Sequence, residues 1–105
     1  MHPTTLMIHE TTLREALRLV VDPEIDCNIV DLGLIYGIAI DGARVTVTMT
    51  LTTPGCPMHE SIARGVKCAL IDLEGVEDVD VNVVWDPPWT PSRMSDYGRR
   101  RTGIC

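Results

Sequence analysis

Phenylalanine is absent from this 105-residue sequence, and aromatic residues of any kind are only two Tyr and two Trp. The hydrophobic fraction of 45% therefore rests on Val, Ile, Leu, Ala and Met. This predicts an aliphatic core and makes Trp85 and Trp89 conspicuous. Basic residues are also scarce: nine Lys and Arg against fifteen Asp and Glu give a net charge of -6. Phosphate recognition rests on clustered Lys and Arg, so this balance argues against nucleic acid or an anionic membrane as the general partner. The run Arg99-Arg100-Arg101 is the local exception and reads as a solvated tail. No long apolar run is present. Leu32 to Ile40 is the longest nearly apolar stretch, broken by Gly33, Tyr36 and Gly37, well short of the roughly 18 residues that a membrane span needs. No secretory h-region follows the N-terminus, so a cytoplasmic protein is expected. The four cysteines, Cys27, Cys56, Cys68 and Cys105, form no Cys-x-x-Cys pair. Neither a zinc ribbon nor a disulfide framework is indicated, and reduced thiols are expected.

What is present describes one ordinary domain, long enough to bury about 65% of the surface its unfolded chain would expose. Residues 1–9 lack periodicity and read as a flexible arm, with a single domain over 10–105. Thr12-Leu13-Arg14-Glu15 fits a capping box, and Leu13, Ala16, Leu17 and Val20 follow at helical spacing until Pro23. Asp22 to Asp31 reads as a loop that packs back through Ile25, Ile29 and Val30. Leu32 to Ile40 reads as a strand, Asp41-Gly42 as a hairpin turn, and Val45 to Leu51 as a second strand buried on Val45, Val47, Met49 and Leu51. From Pro57 onward, Ile62, Val66, Ala69, Leu70 and Leu73 make one helical face ending before Gly75. Val79, Val81 and Val83 alternate as a third strand, and Thr90-Pro91 opens a short helix that Gly98 would end. The order helix, strand, strand, helix, strand, short helix predicts an α+β, two-layer fold. A hairpin plus a strand returning through a helix gives a three-stranded mixed sheet packed against helices.

Chemistry concentrates at Thr52-Thr53-Pro54-Gly55-Cys56-Pro57. Leaving a strand and entering a helix places Cys56 near unpaired N–H groups and the positive end of a helix dipole. There a thiol pKa falls from about 8.5 toward the reactive range, favouring nucleophile and metal ligand alike. A small buried turn cysteine is the competing reading. His59 lies on the same first turn and makes a Cys/His metal pair conceivable, although an exposed His fits as well. Glu60 is a favourable first-turn acid. Thr52 and Thr53 read either as shapers of a Cys56 pocket or as an ordinary hydroxyl-stabilised turn, and Asp22 and Glu24 either as pocket carboxylates or as a helix-stop turn. Gly33 within a strand suggests a bulge or a close backbone approach. Trp85-Asp86-Pro87-Pro88-Trp89 is a stiff aromatic segment that either covers the end of the core or presents a partner-binding surface. Cys27 falls in a loop, Cys68 is expected to be structural, and Cys105 is terminal.

Four ordered motifs, Asp22-Pro23-Glu24, Asp31-Leu32-Gly33-Leu34-Ile35-Tyr36, Thr50-Leu51-Thr52-Thr53-Pro54-Gly55-Cys56-Pro57 and Trp85-Asp86-Pro87-Pro88-Trp89, span residues 12–104. Together they resemble the PaaD/SufT-like metal-sulfur (iron-sulfur) cluster assembly family. The resemblance implies a self-associating domain, a homodimer or higher homo-oligomer, that matures or delivers iron-sulfur clusters to client apoproteins alongside other assembly proteins. It makes Cys56 the key residue, taken here as the metal ligand, and carries pocket roles to Asp22, Thr52 and Thr53. A two- or four-iron cluster usually takes four ligands, mostly thiolates. One well-placed thiol therefore implies a transient cluster shared between subunits or with a client. The rival readings are a non-catalytic adaptor working through Trp85 to Trp89, and a thiol enzyme for which no His can be assigned as base.

Overall fold

The structure, a computed structural model, describes residues 8–23, 25–52 and 59–103. Helix α1 (Glu10–Leu17) is followed by two short strands, β1 (Val21–Asp22) and β2 (Cys27–Asn28), then β3 (Ile35–Asp41), β4 (Arg44–Met49), α2 (His59–Ile71), β5 (Asp78–Val83), a 3₁₀ turn (Pro91–Arg93) and α3 (Asp96–Thr102). The strict alternation of Val45-Thr46-Val47-Thr48-Met49 makes β4 the centre of a three-stranded sheet, antiparallel to β3 and parallel to β5. This is the mixed sheet expected from the sequence. Val45, Val47 and Met49 are fully buried, each stabilising by about 1.5–3 kcal/mol relative to exposure. Ile62, Val66 and Leu70 are buried from α2, which packs on β5, and Leu13 and Leu17 are buried from α1, which packs on α2.

Several boundaries differ from the sequence reading, each for a local reason. Helix α1 starts two residues before Thr12: His9 is the N-cap and gives no side-chain cap bond, so the Thr12 capping box is not used. Leu13 then sits within the first turns, where it is buried. The β3/β4 hairpin turns on Gly42 and Ala43 rather than on Asp41-Gly42, because Asp41 pairs with Arg44. Gly42 has φ 61, the positive value that the first position of a II′ hairpin turn requires. Strand β3 begins at Ile35, not Leu32, and its register shifts between Ile35 and Gly37, which leaves Tyr36 as the extra residue of a bulge. The 22–31 loop contains the β1/β2 ladder, whose turn puts Asp26 at φ 58.

The short helix after Thr90 is two elements. Pro91–Arg93 is a single 3₁₀ turn, and α3 is separately capped by Ser95 Oγ, which accepts from Gly98 N–H at 3.0 Å. Gly98 does not end a helix. It is buried inside α3 because a Cβ there would lie 2.5 Å from the Asp31 carbonyl oxygen, and Gly103, at φ 75, is the C-cap. Nor are the three arginines a free tail. They form the last turn of α3, where Arg101 Nη2 lies 2.9 Å from Asp26 Oδ2 and Arg99 Nη2 donates to the Ser92 carbonyl.

Candidate functional site

Asp22 follows α1 in the β1 ladder and is 1% exposed. Its carbonyl accepts from Ile25 N–H at 3.2 Å and Asp26 N–H at 2.8 Å, so the Asp22-Pro23 turn is closed by its own backbone and the carboxyl is carried inward. Pro23, Val20 and Val21 form one wall of a cleft of about 500 Å³ whose other wall is Ser61, Ile62 and Cys68 of α2. Gly65 permits this approach: a Cβ there would sit 3.3 Å from Val20 Cγ1. The Asp22-Pro23 turn therefore faces the first half of α2, the element that the cysteine motif leads into.

On the other approach to that motif, Thr50 N–H donates to the Leu34 carbonyl at 2.9 Å and Val84 N–H to the Met49 carbonyl at 2.8 Å, holding the exit of β4 in place. Thr50 is fully buried and Thr52 half-buried. Among the described residues, Thr50 Oγ1 has no hydrogen-bond partner. Thr53, Cys56 and Glu24 lie outside the described residues, as does Pro57, the expected start of the second helix. The structure thus sets the Asp22-Pro23 turn against α2 and fixes Thr50 at the exit of β4.

The tryptophan segment divides into two roles. Trp89 packs on the core and donates from Nε1 to the Leu32 carbonyl at 2.6 Å. Trp85 is 39% exposed. Tyr36 donates from its hydroxyl to the Pro87 carbonyl at 2.7 Å, and Gly33, at φ 78, has no room for a Cβ against the Arg93 backbone. The expected close approach at Gly33 is therefore real, while the bulge falls three residues later.

A residue with no role assigned from the sequence, Asp31, ties these parts together. Its Oδ1 accepts from Ser95 Oγ at 2.6 Å and its Oδ2 from Asn28 Nδ2 at 2.7 Å, while its carbonyl accepts from Ser95 N–H at 2.9 Å. Asn28 Oδ1 in turn accepts from the Val30 and Asp31 N–H groups. Burial alone would raise the Asp31 pKa, but the Ser95 and Asn28 hydrogen bonds and the Arg18 charge outweigh it and hold the carboxyl below its ordinary value. The signal available in the sequence was Asp31 at the head of the second motif. Its partner Ser95 is 64 residues away and gave none.

The family model described as iron-sulfur cluster assembly protein matches residues 10–83. This chain belongs to that family. Among relatives of the iron-sulfur cluster assembly family, the chain is 49% identical over 90 residues to the Fe-S protein maturation auxiliary factor YitW of Bacillus subtilis, covering 85% of this chain and 88% of that one. It is 45% identical over 87 residues to the Fe-S protein maturation auxiliary factor SufT of Staphylococcus aureus, covering 82% and 99%. The crystal structure of a domain of unknown function from Bacillus anthracis superposes with a TM-score of 0.86 at 41% identity, covering 91% of this chain and 92% of that one.

The described thiols of this family member have opposite settings. Cys27, in β2, is 3% exposed, and desolvation, with the Asp31 charge, pushes its thiol pKa up. Cys68 is exposed on α2, not the structural residue expected, because it stands two positions after Val66 and so leaves the buried stripe of the helix. Among the described residues, no three His, Cys, Asp or Glu side chains gather as a metal site, and no helix is long and apolar enough to cross a membrane.

Proposed function

We propose that this chain is a non-catalytic, cytoplasmic iron-sulfur maturation factor whose Cys56 thiolate transiently holds or delivers a cluster shared between subunits or with a client apoprotein. The observation that carries this reading is the family match over residues 10–83 together with near full-length relatives named as Fe-S maturation factors. The thiol arithmetic supports sharing: a cluster usually takes four ligands, and Cys27 is withdrawn into the core. Asp22, Thr52 and Thr53 serve as pocket residues around the cluster, a role supported for Asp22 by its burial. Other assembly proteins and a second copy of the chain are the natural sources of the missing ligands.

Anaerobic reconstitution with iron and sulfide, read by visible absorbance and native mass, tests the ligand role. Wild type is expected to load in an assembly of more than one chain, and Cys56→Ser to lose at least most of the absorbance. Equal loading of the variant would sink the proposal. The second reading, an adaptor that never holds a cluster, is favoured by one observation: Trp85 stands exposed beside exposed Pro87 and Pro88. A wild type that fails to load yet captures cluster proteins, and loses them on Trp85→Ala, would favour the adaptor. Trp89 is unsuited to that test, since its indole is bonded to Leu32.

A further inference from the structure

The β3 bulge and the segments before and after Trp89 line a cleft of about 550 Å³ formed by Arg14, Val30, Ile35, Tyr36, Pro87 and Arg93. Its charge is the reverse of the chain's. Two arginines line it and, among its described lining residues, there is no acid, in a protein of net charge -6. Arg93 lies over the Tyr36 ring, 4.6 Å from its centroid. A cation–π contact of this kind holds the guanidinium over the ring face without using its N–H donors. Among the described residues, Arg93 has no acid partner. Arg14 is engaged by Glu10 at 2.9 Å, an exposed i,i+4 pair of the kind that exchanges readily with another carboxylate.

The platform is built rather than incidental. The bulge at Tyr36 turns its side chain out of the strand alternation, its hydroxyl is fixed by the Pro87 carbonyl, and the Arg93 backbone is seated on Gly33. The remaining lining, Val30, Ile35 and Pro87, is apolar.

We propose that this cleft binds a carboxylate carried on an aliphatic stem, with Arg93 as the bidentate donor, Arg14 as the second cation, and Val30, Ile35 and Pro87 receiving the stem. A carboxylate matches a guanidinium fork with two parallel hydrogen bonds. A phosphate would bring a further anionic oxygen beyond the two that the fork accepts. Both a small organic acid and the C-terminal carboxylate of a partner protein present this chemistry.

The test is a titration of the full ¹⁵N-labelled chain with isovalerate, isovaleramide, inorganic phosphate, and a pentapeptide ending in leucine with a free or amidated terminus. Isovalerate and the free peptide are expected to move the Tyr36, Arg93 and Val30 amide signals, with the amides leaving them in place. Arg93→Gln and Arg14→Gln are expected each to weaken binding about tenfold, the loss of a charge-assisted hydrogen bond. Should Arg93→Gln fail to fold, Arg93→Lys, which keeps the charge and loses the fork, is read the same way. A free peptide at least tenfold tighter than isovalerate identifies a protein terminus as the source; equal affinity identifies a small acid. The proposal is overturned if isovaleramide moves the same signals equally, if phosphate saturates them at lower concentration than isovalerate, or if neither arginine variant weakens binding.

Discussion

Asp31 shows how much one side chain organises here. Two bonds, from Ser95 Oγ and Asn28 Nδ2, converge on the carboxylate of a residue that is 6% exposed, so its charge is stabilised by donors that the unfolded chain lacks. Because its folded pKa lies below the ordinary value of 3.8, the folded state binds this proton less readily than the unfolded one. The stability it contributes is present above that ordinary value and is lost as pH falls through the lower folded value. Urea unfolding followed from pH 7 to pH 2.5 should therefore show a loss of stability at the acid end that Asp31→Asn reduces. At pH 7 the same variant should be less stable by about 1.5–3 kcal/mol, the usual worth of hydrogen bonds to a charged group. A variant with the acid sensitivity of wild type would mean that Asp31 titrates normally.

At the scale of elements, α3 depends on a cap that serves two partners. Ser95 Oγ accepts from Gly98 N–H and donates to Asp31 Oδ1, so it both starts the helix and fastens it beside β2. An N-cap serine is ordinarily worth about 1 kcal/mol, and here its loss also leaves a buried carboxylate short of a donor. Ser95→Ala should cost about 2–3 kcal/mol, measured by urea denaturation. In a double-mutant cycle with Asp31→Asn the two costs should fall short of additive, because they share one bond. Additivity would show that cap and carboxylate act separately. Gly98 belongs to the same arrangement, since its missing Cβ is the space occupied by the Asp31 carbonyl.

Across the whole molecule, the described thiols report different things. Cys27 lies in the common core with Leu13, Leu17 and Ile29, whereas Cys68 faces solvent from α2. Alkylation with iodoacetamide followed by peptide mass mapping should modify Cys68 in the native protein and leave Cys27 unmodified until the chain unfolds globally, because desolvation both excludes the reagent and disfavours thiolate. Native modification of Cys27 at the rate of Cys68 would contradict the burial. The same partition underlies the proposed cluster chemistry, in which Cys27 supplies no ligand.

The sequence by itself determined the parts governed by short periods. The alternation of Val and Thr in β4 sets which face is buried, and the spacing of Ile62, Val66 and Leu70 sets the buried stripe of α2. The ordered motifs also placed the chain in its family, since local residue types carry that information without tertiary contacts. The expected roles of Thr53 and Cys56 fall outside the described residues and stay with the proposal. Only the tertiary structure decided the long-range closures: Asp31 with Ser95, Trp89 with Leu32, Tyr36 with Pro87, and the seating of Arg93 on Gly33. Each joins residues more than 50 positions apart, so no local pattern marks it. Each also satisfies a polar group or fills a space that exists only once β3, the tryptophan segment and α3 have packed together.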